Sequence, residues 1–184
     1  MPLSKGKAVV VRPGVADDIP LVTSMDHSVT THYVWQMDLQ DGETLIRATF
    51  RRVRMPRSVT LAPPRSMHRL SLDWRNRALF VVAESAEKTR GYLAVSHSTL
   101  PDVGVIADFA VDRNARRQGI GTVLVASAMD WAQRAGLQRL FLETQNRNDA
   151  AICFCQASGF AYSGYNDRYY ASEDITMFFG RTLR

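Results

Sequence analysis

Cysteine is scarce in this chain: Cys153 and Cys155 are the only two. Two residues apart on a helix, they point to nearly opposite faces, so they neither pair nor chelate together. No disulfide framework and no zinc-ligand spacing is present. His27, His32, His68 and His97 are scattered and form no H-E-x-x-H pattern, so no metal is expected. Long hydrophobic runs are also missing. "ALFVVA" at 78–83 is far too short to cross a bilayer. Arg12 and Pro13 cut off the N-terminal apolar stretch before it reaches the length of a signal-peptide core. The expectation is a cytoplasmic protein with no membrane partner.

Acids are missing from one region in particular. From Arg47 to Arg77 nine arginines face a single acid, Asp73, and the whole chain carries a net charge of +5. A patch of this kind suits a solvated face or a phosphorylated cofactor, and it lacks a recognisable nucleic-acid module. The 184 residues suit a single domain spanning 1–184, with 46% hydrophobic residues to fill its core. Monomer and homodimer are both compatible with this composition.

Periodicity and turn residues divide the chain into strands and helices. "AVVVRPG" (8–14) reads as a strand, and "ADDIPLVTSMDHS" (16–28) as a short helix capped by Asp17 or Asp18. Within 29–77, "TLIRATFRRVRM" fits strand or helix, and Pro56, Pro63 and Pro64 interrupt the residues after it. Residues 78–85 and 90–98 read as a hairpin around "AEKT", and 103–111 as a buried strand. A helix is expected over 119–135, with Leu124, Ala128, Trp131 and Ala135 on its apolar face and Gly136 at its end. Residues 139–145 form the next strand. A short helix capped by Asn148 or Asp149 then runs to Ser158, and "FAYSGY" and 175–183 are the last strands. This order predicts an α/β fold with a mixed sheet and crossover helices.

The most informative stretch is "AVDRNARRQGIGTVLV", residues 110–125. A strand gives out, arginines come next, and Gly119 and Gly121 open a helix. Helix N-termini bind anions through unpaired N–H groups, and glycine lets a phosphate approach them. No P-loop string occurs. The dinucleotide fingerprint also fails, because Leu124 fills its third glycine position and seven residues separate Val111 from Gly119. What remains is R-x-x-G-x-G at Arg116, Gly119 and Gly121.

The segment from about 105 to 164 resembles the GNAT superfamily of acyl-CoA-dependent N-acyltransferases. The likeness rests on "IADFAV", "RRQGIG", "LFLETQ", Asn148 with Ala150–Ala151, and "SGF" at 158–160, in that order. "DFAVDRNARRQGIG", "LETQNRNDAA" and the tyrosine-rich tail look like the streptothricin acetyltransferase branch in particular. The resemblance implies a mostly antiparallel sheet flanked by helices, whose central strands 103–111 and 139–145 splay apart. It implies acetyl-CoA as cosubstrate, its pyrophosphate on Arg116, Arg117, Gln118, Gly119, Ile120, Gly121 and Thr122. The pantetheine arm would lie along Phe109, Ala110 and Val111, with Asn148 contacting the same arm or serving as a plain helix cap. The acceptor would be an amine of a small molecule, such as a cationic antibiotic. A protein N-terminus or lysine, or a sensor that binds acyl-CoA without turnover, are the alternatives.

The transfer needs a neutral amine, a stabilised oxyanion and a proton for the leaving thiolate. A backbone N–H near Ala110 could serve the oxyanion. Asp108 is the candidate base or amine anchor, and a buried acid bonded to backbone or to an arginine is the competing reading. Glu143 is a second acid in a buried strand, read as structural. Cys155 stands four before Gly159, where many family members carry the tyrosine that acts as general acid. Free cysteine titrates near 8.5, so its proton could pass to a thiolate at about equal energy. Tyr162, Tyr165, Tyr169 and Tyr170 could wall an acceptor pocket or simply cover a sheet edge. Glu173 and Asp174 could attract a cation.

Overall fold

The computed structural model describes residues 8–170 and 174–183. Glu173 therefore lies outside the described residues. Among these residues no helix is long and apolar enough to cross a membrane. Seven strands form one sheet in the order β1-β4-β5-β6-β7-β9-β8, and two more form a separate hairpin, β2-β3. The seven are β1 (Val9–Pro13), β4 (Leu79–Ser85), β5 (Lys88–His97), β6 (Val103–Val111), β7 (Arg139–Gln145), β8 (Ala161–Asn166) and β9 (Thr176–Thr182). The β1–β4, β4–β5 and β5–β6 pairs are antiparallel, and β6–β7 is parallel. The mixed, mostly antiparallel α/β fold expected from the sequence is the fold observed.

By contacts the chain divides into two compact units: 1–27 with 65–143 and 180–184, and 28–64 with 144–179. In the first, helices α1 (Asp18–Thr23) and α2 (Met67–Asp73) help form a core of Ile19, Val22, Leu70, Phe80, Val82, Tyr92 and Ala94. Alternation puts Gly91, Leu93 and Val95 on the opposite face, toward α3 (Ile120–Arg134). The α3 stripe that is buried is Ile120, Leu124, Val125, Ala128 and Ala132. Ala135, expected on that face, is exposed, because the helix ends at Arg134 and Gly136 turns the chain away at φ +75°. Gly91 matters for placing α3. A Cβ there would meet the Ala110 carbonyl at 2.8 Å and Leu124 Cδ1 at 3.2 Å, so only glycine lets the first turns of the helix settle on the sheet.

The expected side-chain cap of α1 does not form. Asp17 occupies the cap position without a side-chain bond. Asp18 instead accepts the Val15 N–H and both Arg12 amino groups. Burial pushes the Asp18 carboxyl up, but the bonds from Arg12 and Val15 outweigh it and hold the group below the usual range.

In the second unit, the ambiguous 29–61 stretch is a long antiparallel hairpin of β2 (Val29–Asp41) and β3 (Ile46–Leu61). Pairing jumps from Thr31↔Val59 to Tyr33↔Arg54, so Pro56 sits in a bulge where its missing N–H costs no ladder bond. Helix α4 (Asp149–Ala157) comes after β7, capped by the Asn148 side chain on the Ala151 N–H.

Candidate active site

The ladder between β6 and β7 runs only from Val103↔Arg139 to Ile106↔Leu142. Beyond it the two strands share no pairing, which is the splay that the family resemblance implies. Pairing is also irregular on the other edge of β6. Ala94 pairs with Asp108 and Val95 with Ile106, so Ala107 is an extra, bulged residue. A bulge bends the strand and re-aims its polar groups. The Ala107 carbonyl accepts a bond from Arg65 Nη1 at 2.7 Å. The same guanidinium forms an ion pair with Glu143 on β7. Arg65 thus bridges the bulge on one strand and the carboxylate on the other.

Asp108 is buried, but not on the face of Ile106 where unbroken strand alternation would put it: with Ala107 bulged, Asp108 stands opposite Ala94 and Ile106 opposite Val95, on opposite faces of the sheet. It is paired with Arg77, Nη2 to Oδ2 at 2.8 Å. That contact lies off the axis of a hydrogen bond, and Asp108 Oδ2 has no hydrogen-bond partner. Arg77 also bonds Ser96 Oγ. Nearby, Tyr92 is buried and its hydroxyl is 3.0 Å from His27 Nε2. Burial, then the Asp108 charge, push the Tyr92 phenol up, and burial lowers His27. Asp108 is therefore a buried carboxylate with an arginine, a tyrosine and a histidine around it. The sequence offered an arginine partner as the competing reading for Asp108; it did not point to Arg77, or to Arg65, within the arginine-rich run.

Past β6, Asp112 accepts the Asn114 N–H and opens a short 3-10 turn. Arg116 turns back to bond the Val111 and Asp26 carbonyls, which fixes the loop to the strand end. Arg117 and Gly119 both adopt positive φ, +64° and +82°. A Cβ on Gly119 would meet nothing within 4 Å, so open space lies against the backbone there. The Val123 N–H bonds the Gly119 carbonyl, and by helix geometry the three N–H groups before it have no intrahelical acceptor. Arg117, Gln118, Gly119 and Thr122 are exposed around this turn. A phosphate-bearing cosubstrate fits this arrangement: donors, a positive helix end and a surface without Cβ atoms coincide.

The remaining sequence-predicted residues belong to the second unit. Asn148 spends its side chain on the α4 cap, and Cys155 is fully buried. Burial pushes the Cys155 thiol up to about 12. The near-equal proton transfer expected from the free-cysteine value therefore does not apply to it. The tyrosines fall into two clusters. Phe50 lies against Tyr162 and Tyr165 with centroids 5.6 and 5.7 Å away, and Tyr169 packs on Tyr170 and Phe178. Asp174 is buried against Arg147 and Gln145. Among the described residues no group of three or more His, Cys, Asp or Glu gathers where a metal ion could bind.

The chain is similar to several known acetyltransferases. Over 91 residues the chain is 35% identical to streptothricin acetyltransferase of Streptomyces lavendulae, covering 50% of this chain and 48% of that protein. Over 73 residues it is 32% identical to the ribosomal protein bS18-alanine N-acetyltransferase of Escherichia coli K12, covering 40% and 49%. The chain thus spans about half the length of these relatives. The fold matches a crystal structure of nourseothricin acetyltransferase with TM-score 0.80 at 23% identity, covering 96% of this chain and 99% of the other. It also matches a Bacillus anthracis structure, assigned as a streptothricin acetyltransferase and solved with acetyl coenzyme A, with TM-score 0.75 at 20% identity and 98% and 100% coverage. Residues 47–160, from β3 through α4, match the acetyltransferase (GNAT) family, and the chain belongs to it.

Proposed function

We propose that the protein is an acetyl-CoA-dependent N-acetyltransferase acting in the cytoplasm on a primary amine of a small cationic molecule, in the manner of a streptothricin-type antibiotic. The observation that carries this reading is the loop at 116–121, where open space lies against Gly119 at a helix N-terminus. Likeness to streptothricin acetyltransferase supports the acceptor class. The ribosomal-protein relative keeps a peptide N-terminus as the second reading.

Acetyl-CoA supplies an acetyl group on an activated thioester, so the reaction forms a C–N bond and breaks a C–S bond. The loop N–H groups and the exposed Arg117 would hold the cosubstrate's pyrophosphate through charge-assisted bonds, while the Arg116 guanidinium, bonded to the Val111 and Asp26 carbonyls, fixes the loop. Residues 109–111, beyond the last β6–β7 pair, lie where an extended arm can run alongside the strand. A backbone N–H near Ala110 offers a donor to the oxygen that gains charge. Asp108, balanced by Arg77, anchors the acceptor amine or takes its proton. Cys155 keeps its proton at neutral pH. Giving it to a thiolate of ordinary pKa near 8.5 is uphill by about 5 kcal/mol, so water or a tyrosine is the better donor.

The test is calorimetry of acetyl-CoA against the wild type, Gly119→Val and Gly121→Val, with a CoA-thiol release assay over streptothricin, small amines and peptides. The folded variants are expected to lose at least tenfold in acetyl-CoA affinity. Unchanged affinity removes the loop assignment. Turnover on peptides alone selects the second reading, and binding without turnover on any amine leaves a sensor.

A further inference from the structure

Glu143 is among the most deeply buried carboxylates of the first unit, with a side chain 2% exposed, and its ion-pair partner Arg65 is 23% exposed. A carboxylate at that depth must have a cation against it, because leaving it alone is strongly unfavourable. The cation itself, however, comes from an unusual place. Arg65 stands in the short segment between the end of β3 at Leu61 and the start of α2 at Met67, outside any strand or helix. Its guanidinium reaches across 42 residues of sequence to the Ala107 carbonyl, at the β6 bulge. A partly exposed cation on a connecting segment thus stands against both strands just past the last β6–β7 pair.

We propose that Arg65 is a displaceable internal cation and that the acceptor carries a second positive group, an ammonium or guanidinium, which takes its place against Glu143 and the Ala107 carbonyl. This rests on the acetyltransferase reading above and gives its acceptor a charge pattern. Exchange of one cation for another leaves the buried carboxylate balanced throughout, so displacement needs no uncompensated charge. The carbonyl and carboxylate together ask for a multi-donor cation, which a guanidinium satisfies best. Ala107 lies three residues before Ala110, roughly 10 Å along the strand. The preferred acceptor is therefore a dication whose reacting amine and second cationic group are separated by a distance of that order. Arg65 acts as a specificity-determining residue: it sets the affinity for the second cation without touching the reacting atoms.

The test compares butylamine, agmatine and spermidine as acceptors for the wild type, Arg65→Ala and Arg65→Lys. The wild type is expected to prefer the dications by tenfold or more in kcat/KM. Removing the internal competitor in Arg65→Ala should lower KM for agmatine about tenfold relative to KM for butylamine in the same variant. Arg65→Lys should fall between. A separate thermal-melting arm needs no turnover: methylguanidinium chloride at a few millimolar should raise the Tm of Arg65→Ala and leave the wild type unchanged. An agmatine KM unchanged or raised relative to that for butylamine, or no rescue by methylguanidinium, overturns the proposal and makes Arg65 a fixed brace. Failure of the wild type to bind acetyl-CoA by calorimetry would instead sink the acetyltransferase reading, and the melting arm would still decide whether Arg65 is displaceable.

Discussion

Both units balance buried carboxylates with arginine, but at different depths. In the first, Asp108 and Glu143 have side chains 6% and 2% exposed, and their partners Arg77 and Arg65 only 16% and 23%. In the second, Asp149 and Asp174 are 12% and 7% exposed, while Arg52 and Arg147 remain 43% and 39% open to solvent. Arg52 also lies over the Tyr33 ring at 3.7 Å, and Trp35 donates to the same Asp149 oxygen that Arg52 Nε reaches. In the second unit Arg52 ties the middle of the β2–β3 hairpin to α4, Arg147 ties the end of β7 to the segment before β9, and both arginines stay partly open to solvent. The Asp108 and Glu143 pairs of the first unit lie deeper, on the two neighbouring strands β6 and β7. The same chemical pair contributes little where water screens it and a great deal where water is absent.

Removing a carboxylate from each unit should break this comparison most sharply. Asp108→Ala strands Arg77 with little water to turn to, and a loss of about 3–5 kcal/mol in unfolding free energy is expected by urea denaturation. Asp108→Asn keeps the shape and costs less stability. If Asp108 anchors or deprotonates the amine, this milder variant still loses turnover by about 10² or more while acetyl-CoA affinity holds. Unchanged turnover in a folded Asp108→Asn would return the residue to a purely structural role.

A smaller effect belongs to Asp149. The bond from Arg52 holds this carboxyl below its usual range, with burial opposing and Trp35 reinforcing. A carboxyl lowered in the fold stabilises above its unfolded pKa, and that contribution fades as pH falls from about 4 through the folded value. Asp149→Asn should therefore melt below the wild type at pH 7, by less than half the shift seen for Asp108→Ala. The two curves should converge as pH drops from about 4 toward 2. A gap that stays constant with pH would mean that shape, not charge, makes the Asp149 contribution.

The smallest expected effect is that of Cys155→Ala on kcat. A thiol pushed up to about 12 by burial is a poor match for a leaving thiolate. The variant should keep kcat within about threefold, measured with a readout that tolerates protein thiols. A drop of tenfold or more would reinstate the thiol as the proton donor.

The sequence by itself determined the elements whose signals are local. Apolar runs marked the bounds of β6 and β7, and glycine and asparagine marked the ends of α3 and α4. The phosphate-like loop was legible because its glycines and arginines are adjacent in the chain. The β2–β3 hairpin was not, since strands open to solvent carry charge on both faces and Pro56 hides its bulge in what reads as a break. Tertiary structure alone decided which arginines matter. Nine stand between Arg47 and Arg77, all alike in composition. Only folding brings Arg65 to Glu143, Arg77 to Asp108 and Arg52 to Asp149. The depth of each pair is likewise a property of the packed chain: a thiol or carboxylate takes its chemistry from how much water reaches it, and that quantity has no local sequence signature.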